Sequence, residues 1–175
     1  MLATNAYSAL LHPFFKGKIF PNRGQMQITE PAPLLFSVAG YSHFGYYYFR
    51  QIPEPGNTGM GRWLIGGARH LNFEAEAGFT DESATEKVQA DISAYTAKHF
   101  PEFKDVPISH RWAGTMAMTN DGLPLVGELP DLPKVFYCVG MNGHGMGFGM
   151  LVAKKAFDLM TKGVHPGMFD GARTA

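Results

Sequence analysis

The chain has 175 residues, and its 15 basic and 15 acidic side chains give a formal net charge of zero. This balance argues against nucleic acid and against an anionic membrane surface as partners, because both attract basic proteins. The single cysteine, Cys138, excludes an internal disulfide bond and a cysteine-based zinc site, and it favours a reducing compartment. No apolar run is long enough to cross a membrane, and the first residues lack the basic region of a secretory signal. We therefore expect a globular, cytoplasmic protein.

The first part of the chain is rich in strand signals. Alternating, apolar and aromatic runs are typical of strands, and the glycine-rich segment 55–61 is typical of a turn. The predicted strands cover residues 25–29, 34–38, 46–50 and 63–65. These runs indicate a largely antiparallel sheet.

Between residues 80 and 100 the apolar side chains recur at helical spacing. This stripe consists of Ala84, Val88, Ile92 and Tyr95. Ser83 and Glu86 have the spacing of a capping box, and Pro101 predicts the end of the helix. We therefore predict a helix in this segment.

The second half returns to strands and ends in another helix. Residues 112–118 and the apolar run 135–139 are predicted strands, the latter buried on both faces. A helix is predicted from about Gly147 to Met160, closed by Lys162 and Gly163, and the tail 164–175 is expected to be loose. The predicted fold class is α+β, with a mainly antiparallel sheet and two main helices.

A glycine cluster separates the last predicted strand from the last helix. It comprises Gly140, Gly143, Gly145, Gly147 and Gly149. Such bare backbone lets a flat or anionic ligand approach the free N–H groups at the positive end of a helix. The GxGxxG register of a complete dinucleotide-binding fold does not fit. The alternative is close packing of a helix on a strand through small residues.

The segment 110–128 contains a turn with candidate ligand contacts. Asp121 begins a tight turn, Pro124 fixes the backbone after it, and Gly127 permits a second close approach. An ordinary turn also explains Asp121, and Trp112 is either a substrate wall or a core residue.

The aromatic run 46–50 has two chemically different faces. Strand alternation places Tyr46, Tyr48 and Arg50 on one face, and Tyr47 and Phe49 on the other. The first face suits a small polar or cationic substrate through hydrogen bonds and cation–π contacts. The alternative is a solvated sheet face with a surface arginine.

Other chemistries have little support. The seven histidines form no HxxxH pair and the lone cysteine offers no thiolate cluster, so we expect no metal site. A GxSxG motif is missed by one residue around Ser42, and there is no Walker loop.

Several motifs, in their order and spacing, resemble those of a known family. They are ATNAYS at 3–8, PNRGQM at 21–26, YYFRQ at 47–51, WLIGGARH at 63–70, WAGTMAMTNDGLPLVGE at 112–128 and VGMNGHGMGFGM at 139–150. The chain resembles the C-terminal portion of FAD-dependent oxidoreductases of the D-amino-acid oxidase superfamily. The likeness is strongest to the glycine oxidase, sarcosine oxidase and γ-glutamylputrescine oxidase group, and it covers nearly the whole chain.

The resemblance implies a domain organisation and a cofactor site. Residues 1–15 would end an FAD-binding domain, 16–110 would form the substrate-binding domain, and 111–175 would return to the FAD site with the C-terminal helix. The residues implied to lie along the pyrimidine edge of the flavin are Gly143, His144, Gly145, Met146 and Gly147. Those matching the family's DxxPxxG turn beside the cofactor are Asp121, Pro124 and Gly127. The expected substrate contacts are Tyr48, Arg50 and the apolar wall Trp112.

The sequence also departs from the family pattern. The GxGxxG strand for the ADP half of FAD is not in the chain, so we expect a fragment whose Rossmann-type FAD-binding half is supplied in cis or in trans. Gly114 stands where sarcosine oxidases place a flavin-linking cysteine, so FAD is expected to be non-covalent. Gly147 and Met116 stand where family members place a lysine and an arginine that bind carboxylate. An amine is therefore favoured over a simple amino acid, although Arg50 is able to bind an acid.

The resemblance thus implies a flavin-dependent oxidase acting on C–N bonds of an amine or amino acid. Hydride would pass to FAD, and O2 would reoxidise the flavin to H2O2. The chain alone is expected to be inactive. Two alternatives remain open: a non-catalytic interaction or self-association domain, with a homo-oligomer as one form, and a flavin dehydrogenase that uses another electron acceptor.

Overall fold

The computed structural model describes residues 1–174 and contains an α+β arrangement of strands and helices. The strands are β1 (Phe20–Pro33), β2 (Gly40–Ser42), β3 (Tyr47–Glu54), β4 (Asn57–Gly67), β5 (Ile108–Met118), β6 (Leu125–Glu128) and β7 (Phe136–Val139). The helices are α1 (Ser8–Leu11), α2 (Phe73–Glu76), α3 (Glu86–His99) and α4 (Gly145–Lys162). Of these, α1 and α2 are single turns, so α3 and α4 are the two main helices.

The strands form two sheets. The larger sheet has the order β2-β3-β4-β1-β5, and the smaller one pairs β6 with β7. The pairs β2–β3, β3–β4, β1–β4 and β6–β7 are all antiparallel. The predicted α+β class with a mainly antiparallel sheet is confirmed.

The chain divides into two compact units. The terminal unit comprises Met1–Asn22, Ala77–Thr80 and the chain from Thr115 onward, and the central unit comprises Arg23–Glu76 and Asp81–Gly114. The functional domain boundaries expected at residues 15 and 110 stay a prediction.

In the central unit, α3 covers one face of the large sheet. Val88 and Ile92 of the predicted helical stripe are buried there together with Trp63 of β4. The Trp63 ring stacks on Phe103 with 4.6 Å between ring centroids. These large apolar contacts fix the helix to the sheet, since a side chain of this size stabilises the fold by about 1.5–3 kcal/mol when buried.

Strand β1 reverses the usual distribution of polar and apolar residues. Its polar side chains Gln25, Gln27 and Thr29 are buried in the central unit, whereas Met26 and Ile28, which alternate with them, are half-exposed. The buried amide oxygens of this strand accept from α3: Gln89 Nε2 donates to Gln25 Oε1 at 3.2 Å, and the Ser93 hydroxyl donates to Gln27 Oε1 at 3.2 Å. The uncovered face of the sheet is therefore the apolar face of β1.

A buried ion pair anchors the same strand. Arg23 of β1 donates through Nη2 to Glu76 Oε1 at 2.9 Å and through Nε to Oε2 at 3.1 Å. The Glu76 side chain is fully buried and also accepts from Gln25 Nε2 at 3.0 Å. Since each charge has a bidentate partner, the pair is tolerated in the interior.

In the terminal unit, α4 packs on the small sheet through Val152 and Ala156, which contact Val126 of β6 and Cys138 of β7. Tyr137, also of β7, is buried in the adjoining core. Strand β7 is thus buried as its continuous apolar run predicts.

Two predicted local features are wrong. Residues 34–38 are not a strand, because the backbone N–H groups of Leu35 and Phe36 both donate to the side-chain oxygen Oε1 of Gln51. The Ser83–Glu86 capping box does not form: α3 begins after Thr85, and the Ser83 hydroxyl donates to Asp81 instead.

The last helix and the tail also differ from expectation. Helix α4 begins at Gly145, two residues before the predicted start, and Gly163 follows its end with a left-handed φ of +65°. The tail is not loose over the described residues 164–174, because Phe169 is buried against α4 and β6. Residue 175 lies outside the described residues.

Candidate functional site

Residues 140–147 comprise the segment after β7 and the first three residues of α4, and we name them the glycine loop. Within it, the Gly147 N–H donates to the His144 carbonyl at 3.0 Å. The loop amides that have no acceptor among the described residues are those of Gly143, Gly145 and Met146. Free amides at the start of an 18-residue helix carry the positive end of its dipole, so they favour an electron-rich or anionic group.

These amides are open to solvent. A Cβ built on Gly147 would meet no atom within 4 Å, and one built on Gly145 would make only ordinary contact with Met141 at 3.5 Å. The Met146 side chain is fully exposed. Gly143 has a φ of +75°, which glycine adopts without strain. A Cβ built on Gly143 would come within 3.2 Å of the Met116 sulfur. Among the described residues, no side chain crowds Gly145 or Gly147 as closely, so approach to the backbone is open at the start of α4.

Asn142 holds the glycine loop in place. Its backbone also has a left-handed conformation, with φ of +53°. Its Oδ1 accepts from the backbone N–H of Thr119 at 2.8 Å, and its Nδ2 donates to the Gly140 carbonyl at 2.6 Å. Its own carbonyl accepts from His144 Nδ1 at 2.8 Å. Sequence reasoning missed Asn142, although an asparagine next to Gly143 is itself a signal for a left-handed backbone.

Asp121 lies in the turn that leads from β5 to β6 and is tied to the C-terminal tail. Its Oδ2 accepts from Arg173 Nε at 2.7 Å, and its Oδ1 accepts from Arg173 Nη2 at 3.1 Å. The hydrogen bonds from Arg173, together with the backbone N–H of Leu123, lower the pKa of Asp121 from 3.8 to about 2. Asp121 is therefore ionised at neutral pH, and Arg173 balances its charge.

Thr119 connects this turn with the glycine loop. Its hydroxyl contacts Asp121 Oδ1 at 3.2 Å and the Leu123 carbonyl at 3.0 Å. The same residue bonds Asn142 through its backbone N–H. The structure thus brings Asp121 and the predicted loop residue His144 into one hydrogen-bonded group, through Thr119 and Asn142.

Pro124 and Gly127 are buried beside this group. Gly127, on β6, lies against the ring of Tyr137 on β7, and a Cβ there would come within 2.3 Å of the Tyr137 hydroxyl oxygen. Packing of Tyr137 is thus sufficient to require glycine at this position. A direct role of either residue toward a cofactor stays a prediction.

In the central unit, Tyr48 and Arg50 lie side by side on the uncovered face of the large sheet. They line a shallow cavity of about 160 Å³ together with Met26, Tyr41 and Leu64. Arg50 is exposed and has no hydrogen-bond or ion-pair partner among the described residues. Burial raises the pKa of the Tyr48 hydroxyl, so this group stays protonated and can donate.

Gly66 sets the position of the Tyr48 ring. A Cβ on Gly66 would come within 2.6 Å of Tyr48 Cε2, 2.1 Å of Met26 Sδ and 2.7 Å of the Gln25 carbonyl oxygen. The tyrosine ring and the methionine sulfur therefore lie directly over bare backbone. The glycine in this β-strand is the sequence signal that indicates such a close approach.

A second cation lies near this face. The Arg69 guanidinium is 5.2 Å from the ring centroid of Tyr46, and its charge acts to lower the pKa of Tyr48 against the effect of burial. Tyr41 stands 6.3 Å from Tyr48, ring to ring. Sequence reasoning did not select Arg69 or Tyr41, because neither lies on the strand that carries Tyr48.

Trp112 is placed apart from these residues. It lies on the edge strand β5, three strand positions from β3 in the sheet order. With strands about 4.8 Å apart, this is about 14 Å across the sheet. The side chain is 42% exposed, so it is not a core residue. Its role as a substrate wall stays a prediction.

A histidine cluster lies on the opposite side of the large sheet. His43, His70 and His99 line a cavity of about 370 Å³ with Tyr47 and Tyr95. Even so, the described residues contain no group of three or more histidine, cysteine or acidic side chains that could hold a metal ion. Within the same residues, no helix has the length and apolar character needed to cross a membrane.

Comparison with known proteins gives the family. The family described as FAD dependent oxidoreductase (DAO) matches residues 1–159, which is most of the chain. The chain belongs to the DAO family. The resemblance inferred from the motifs is thereby confirmed.

Two curated relatives match the chain over part of their own length. The probable oxidoreductase OrdL of Haemophilus influenzae is 28% identical over 154 residues, which cover 83% of this chain and 32% of the relative. OrdL of Rhizobium meliloti is 26% identical with the same coverage. The chain spans about a third of the length of these relatives.

Solved structures share the fold. L-proline dehydrogenase from P. horikoshii is 27% identical, with a TM-score of 0.71, and the match covers 98% of this chain and 45% of that one. Glycine oxidase from Geobacillus kaustophilus is 22% identical, with a TM-score of 0.73, and the match covers 99% and 43%. The second likeness shows the fold alone.

The residues present fit the edge of a flavin. Family membership implies FAD, whose isoalloxazine ring has electron-rich oxygen and nitrogen atoms along its pyrimidine edge. The glycine loop offers three amides that have no acceptor among the described residues, open backbone at Gly145 and Gly147, and the positive end of α4. Backbone donors at a helix start match such an edge.

Proposed function

We propose that this DAO-family chain is the flavin-edge and substrate-binding part of an oxidase that acts on a C–N bond of an amine or amino acid. The observation that supports this most directly is the set of amides at Gly143, Gly145 and Met146, which have no acceptor among the described residues. Proline, glycine and fructosyl amine, which name the family's structural neighbours, all contain an amine nitrogen. The substrate class is consistent with them.

Toward FAD, the proposed role of this chain is to bind the edge of the flavin ring and to polarise it. The loop amides would hold the edge of the flavin ring as hydrogen-bond donors, and the dipole of α4 would add a fixed positive potential that favours electron-rich atoms there. A donor fixed in advance costs no reorganisation during the reaction, and removal of one such donor typically costs a few kcal/mol of barrier. Asp121, neutralised by Arg173, supports the loop through Thr119.

The chemistry that FAD supplies in such a site is acceptance of a hydride from the carbon next to nitrogen, with later transfer of two electrons to O2 to give H2O2. The oxidised substrate is an imine, which hydrolyses in water. The main tasks of the protein are to orient the substrate and to exclude water, and neither requires a strong side-chain base.

On the substrate side, Tyr48 and Arg50 are the proposed donors. The protonated Tyr48 hydroxyl suits an acceptor atom of the substrate, and the unpaired Arg50 guanidinium suits a carboxylate. Met116 and Gly147 carry no charge where the resemblance predicts carboxylate-binding side chains. We therefore infer an amine as substrate, with any acidic group of that amine bound by Arg50, and Trp112 as an apolar wall.

The remaining part of the cofactor site is proposed to come from an FAD-binding half, in the same polypeptide or in a second one. This follows from the third of the relatives' length that the chain spans. Because Gly114 offers no nucleophile, FAD is proposed to be held non-covalently. A cytoplasmic location accords with the buried, free Cys138.

The test is isolation of the protein that contains this chain, reconstituted with FAD, followed by anaerobic mixing with a panel of amines and amino acids. We expect flavin bleaching by at least one amine, recovery on admission of O2, and one H2O2 per substrate consumed. An Arg50→Gln variant should lose affinity selectively for substrates that bear a carboxylate, with a matched Lys98→Gln variant unchanged.

Two outcomes would replace this proposal. Bleaching without H2O2, but with turnover of an artificial electron acceptor, would make the protein a dehydrogenase. Failure to retain any FAD after reconstitution would support a non-catalytic interaction domain.

A further inference from the structure

The C-terminal tail after α4 is folded back onto the terminal unit. It lies beyond residue 159, where the match to the DAO family ends. Phe169 is buried against Val126 and Val152. Gly171 is buried so closely on Tyr137 that a Cβ would come within 2.0 Å of the hydroxyl oxygen. These contacts fix the tail as far as Gly171, two residues before Arg173.

That charged group, Arg173, is aimed at the Asp121 turn. Besides its two bonds to the Asp121 carboxylate, it donates through Nη2 to the Leu123 carbonyl at 2.7 Å and through Nη1 to the Asp170 carbonyl at 2.9 Å. The side chain is 20% exposed. All the groups that these bonds join lie within the terminal unit, so the tail and the turn are held by one guanidinium.

From Asp121 the contacts continue to the glycine loop without a gap. The Asp121 carboxylate contacts the Thr119 hydroxyl at 3.2 Å, and Thr119 N–H donates to Asn142 Oδ1 at 2.8 Å. Asn142 in turn accepts from His144 Nδ1 and donates to the Gly140 carbonyl. A displacement of the Asp121 carboxylate therefore acts on the loop at Asn142 and, through it, at Gly140 and His144.

We propose that Arg173 is a positioning residue that sets the glycine loop for the flavin through Asp121, Thr119 and Asn142. The proposal rests on the proposed flavin site and extends it to a tail outside the family match. Arg173 has two tasks. Its fork geometry fixes the direction of the Asp121 carboxylate, and its charge cancels a negative charge that would otherwise oppose electron-rich atoms beside the loop.

The two tasks predict different effects of two variants. Arg173→Gln removes both charge and fork, so the FAD dissociation constant should rise about fivefold to tenfold, and the flavin reduction potential should become more negative. Arg173→Lys keeps the positive charge but loses the planar fork of the guanidinium. It should therefore keep the flavin reduction potential near the wild-type value, whereas the loop is held less firmly than in the wild type. Lys16→Gln, which removes an exposed lysine of the same unit, is the control for loss of one positive charge.

The readouts are the FAD dissociation constant, the flavin reduction potential and amide hydrogen exchange in residues 140–144, the last measured on the FAD-free protein. We expect Arg173→Gln to accelerate exchange of the Asn142 amide, which is bonded to the Ala117 carbonyl at 2.8 Å, by about tenfold. Urea unfolding of each variant shows whether such a change is local or global.

Unchanged exchange and unchanged potential in Arg173→Gln, with FAD still bound, would overturn the role of Arg173 and leave the flavin site intact. If Arg173→Gln accelerates exchange but the wild-type protein binds no FAD, the proposed function is overturned. The flavin part of this inference is then overturned with it. If Arg173→Gln unfolds, failure of Arg173→Lys to restore the potential overturns the electrostatic task.

Discussion

The buried pair between Arg23 and Glu76 gives a prediction whose size follows from the structure. Glu76→Gln keeps the shape of the side chain but removes its charge, which leaves Arg23 paired with the exposed Asp81 carboxylate, at 2.7 Å, besides its hydrogen bond to the Ala75 carbonyl. Removal of one partner of a buried ion pair typically costs about 3–5 kcal/mol, because the other charge stays buried and unpaired. Since Asp81 still offsets part of the Arg23 charge, we expect about 3 kcal/mol of lost unfolding free energy.

The assay is urea unfolding followed by tryptophan fluorescence. Both tryptophans, Trp63 and Trp112, lie in the central unit together with the ion pair, so the signal reports on that unit. Glu74→Gln on the same short helix is the control, because its side chain is exposed, and it should change the unfolding free energy by less than about 0.5 kcal/mol. A loss of unfolding free energy below about 1 kcal/mol for Glu76→Gln would contradict the expected cost of removing the buried partner of Arg23.

Three further predictions concern the site and its supports. Gly66→Ala should displace the Tyr48 ring from bare backbone and weaken substrate binding. Gly59→Ala on the same strand is the control, because a Cβ there meets nothing closer than 4.0 Å, and it should leave substrate affinity unchanged. Equal substrate affinities of the two variants in titrations would contradict this prediction. The pKa of Asp121 is lowered in the folded state to about 2, so its stabilisation is present above the unfolded value and is lost as pH falls from about 4 through 2. With over a third of that side chain exposed, the loss should be about 1 kcal/mol after screening and absent in Asp121→Asn, as measured by urea unfolding against pH. Gly163→Ala should cost about 1 kcal/mol in thermal unfolding, because the helix ends there with φ of +65°.

The sequence predicted well wherever a local pattern determines the structure. Val88 and Ile92 recur at helical spacing and lie on the buried side of α3. The apolar run that ends at Val139 is a buried strand. Gly163 closes α4 as expected, because glycine in the left-handed region is the usual helix end.

The features that could not be predicted depend on partners far away in the chain. Strand β1 buries its polar face because Gln25 finds Glu76 and Gln89, which lie 51 and 64 residues away. No local pattern indicates such partners. The capping box at Ser83 fails for a related reason: the Ser83 hydroxyl and backbone N–H both donate to Asp81, which in turn binds Arg23, 58 residues away.

The same limit applies to the candidate site. Glycine spacing was sufficient to indicate the loop at the start of α4, and alternation was sufficient to place Tyr48 and Arg50 on one face. The tail carries no periodic pattern, so the link from Arg173 to Asp121, 52 residues apart, was not predictable. Sequence motifs identified the loop but not the residues that hold it.

The most direct test of the proposed contact between the glycine loop and the flavin is amide NMR of the FAD-reconstituted protein, compared with the FAD-stripped form. If the glycine loop holds the flavin edge, the largest chemical-shift changes of α4 and the loop before it fall on the amides of Gly143, Gly145 and Met146. The amide of Gly163, at the far end of the same helix, should stay unchanged. Unshifted signals at the three loop amides, in a protein that holds FAD, would contradict it.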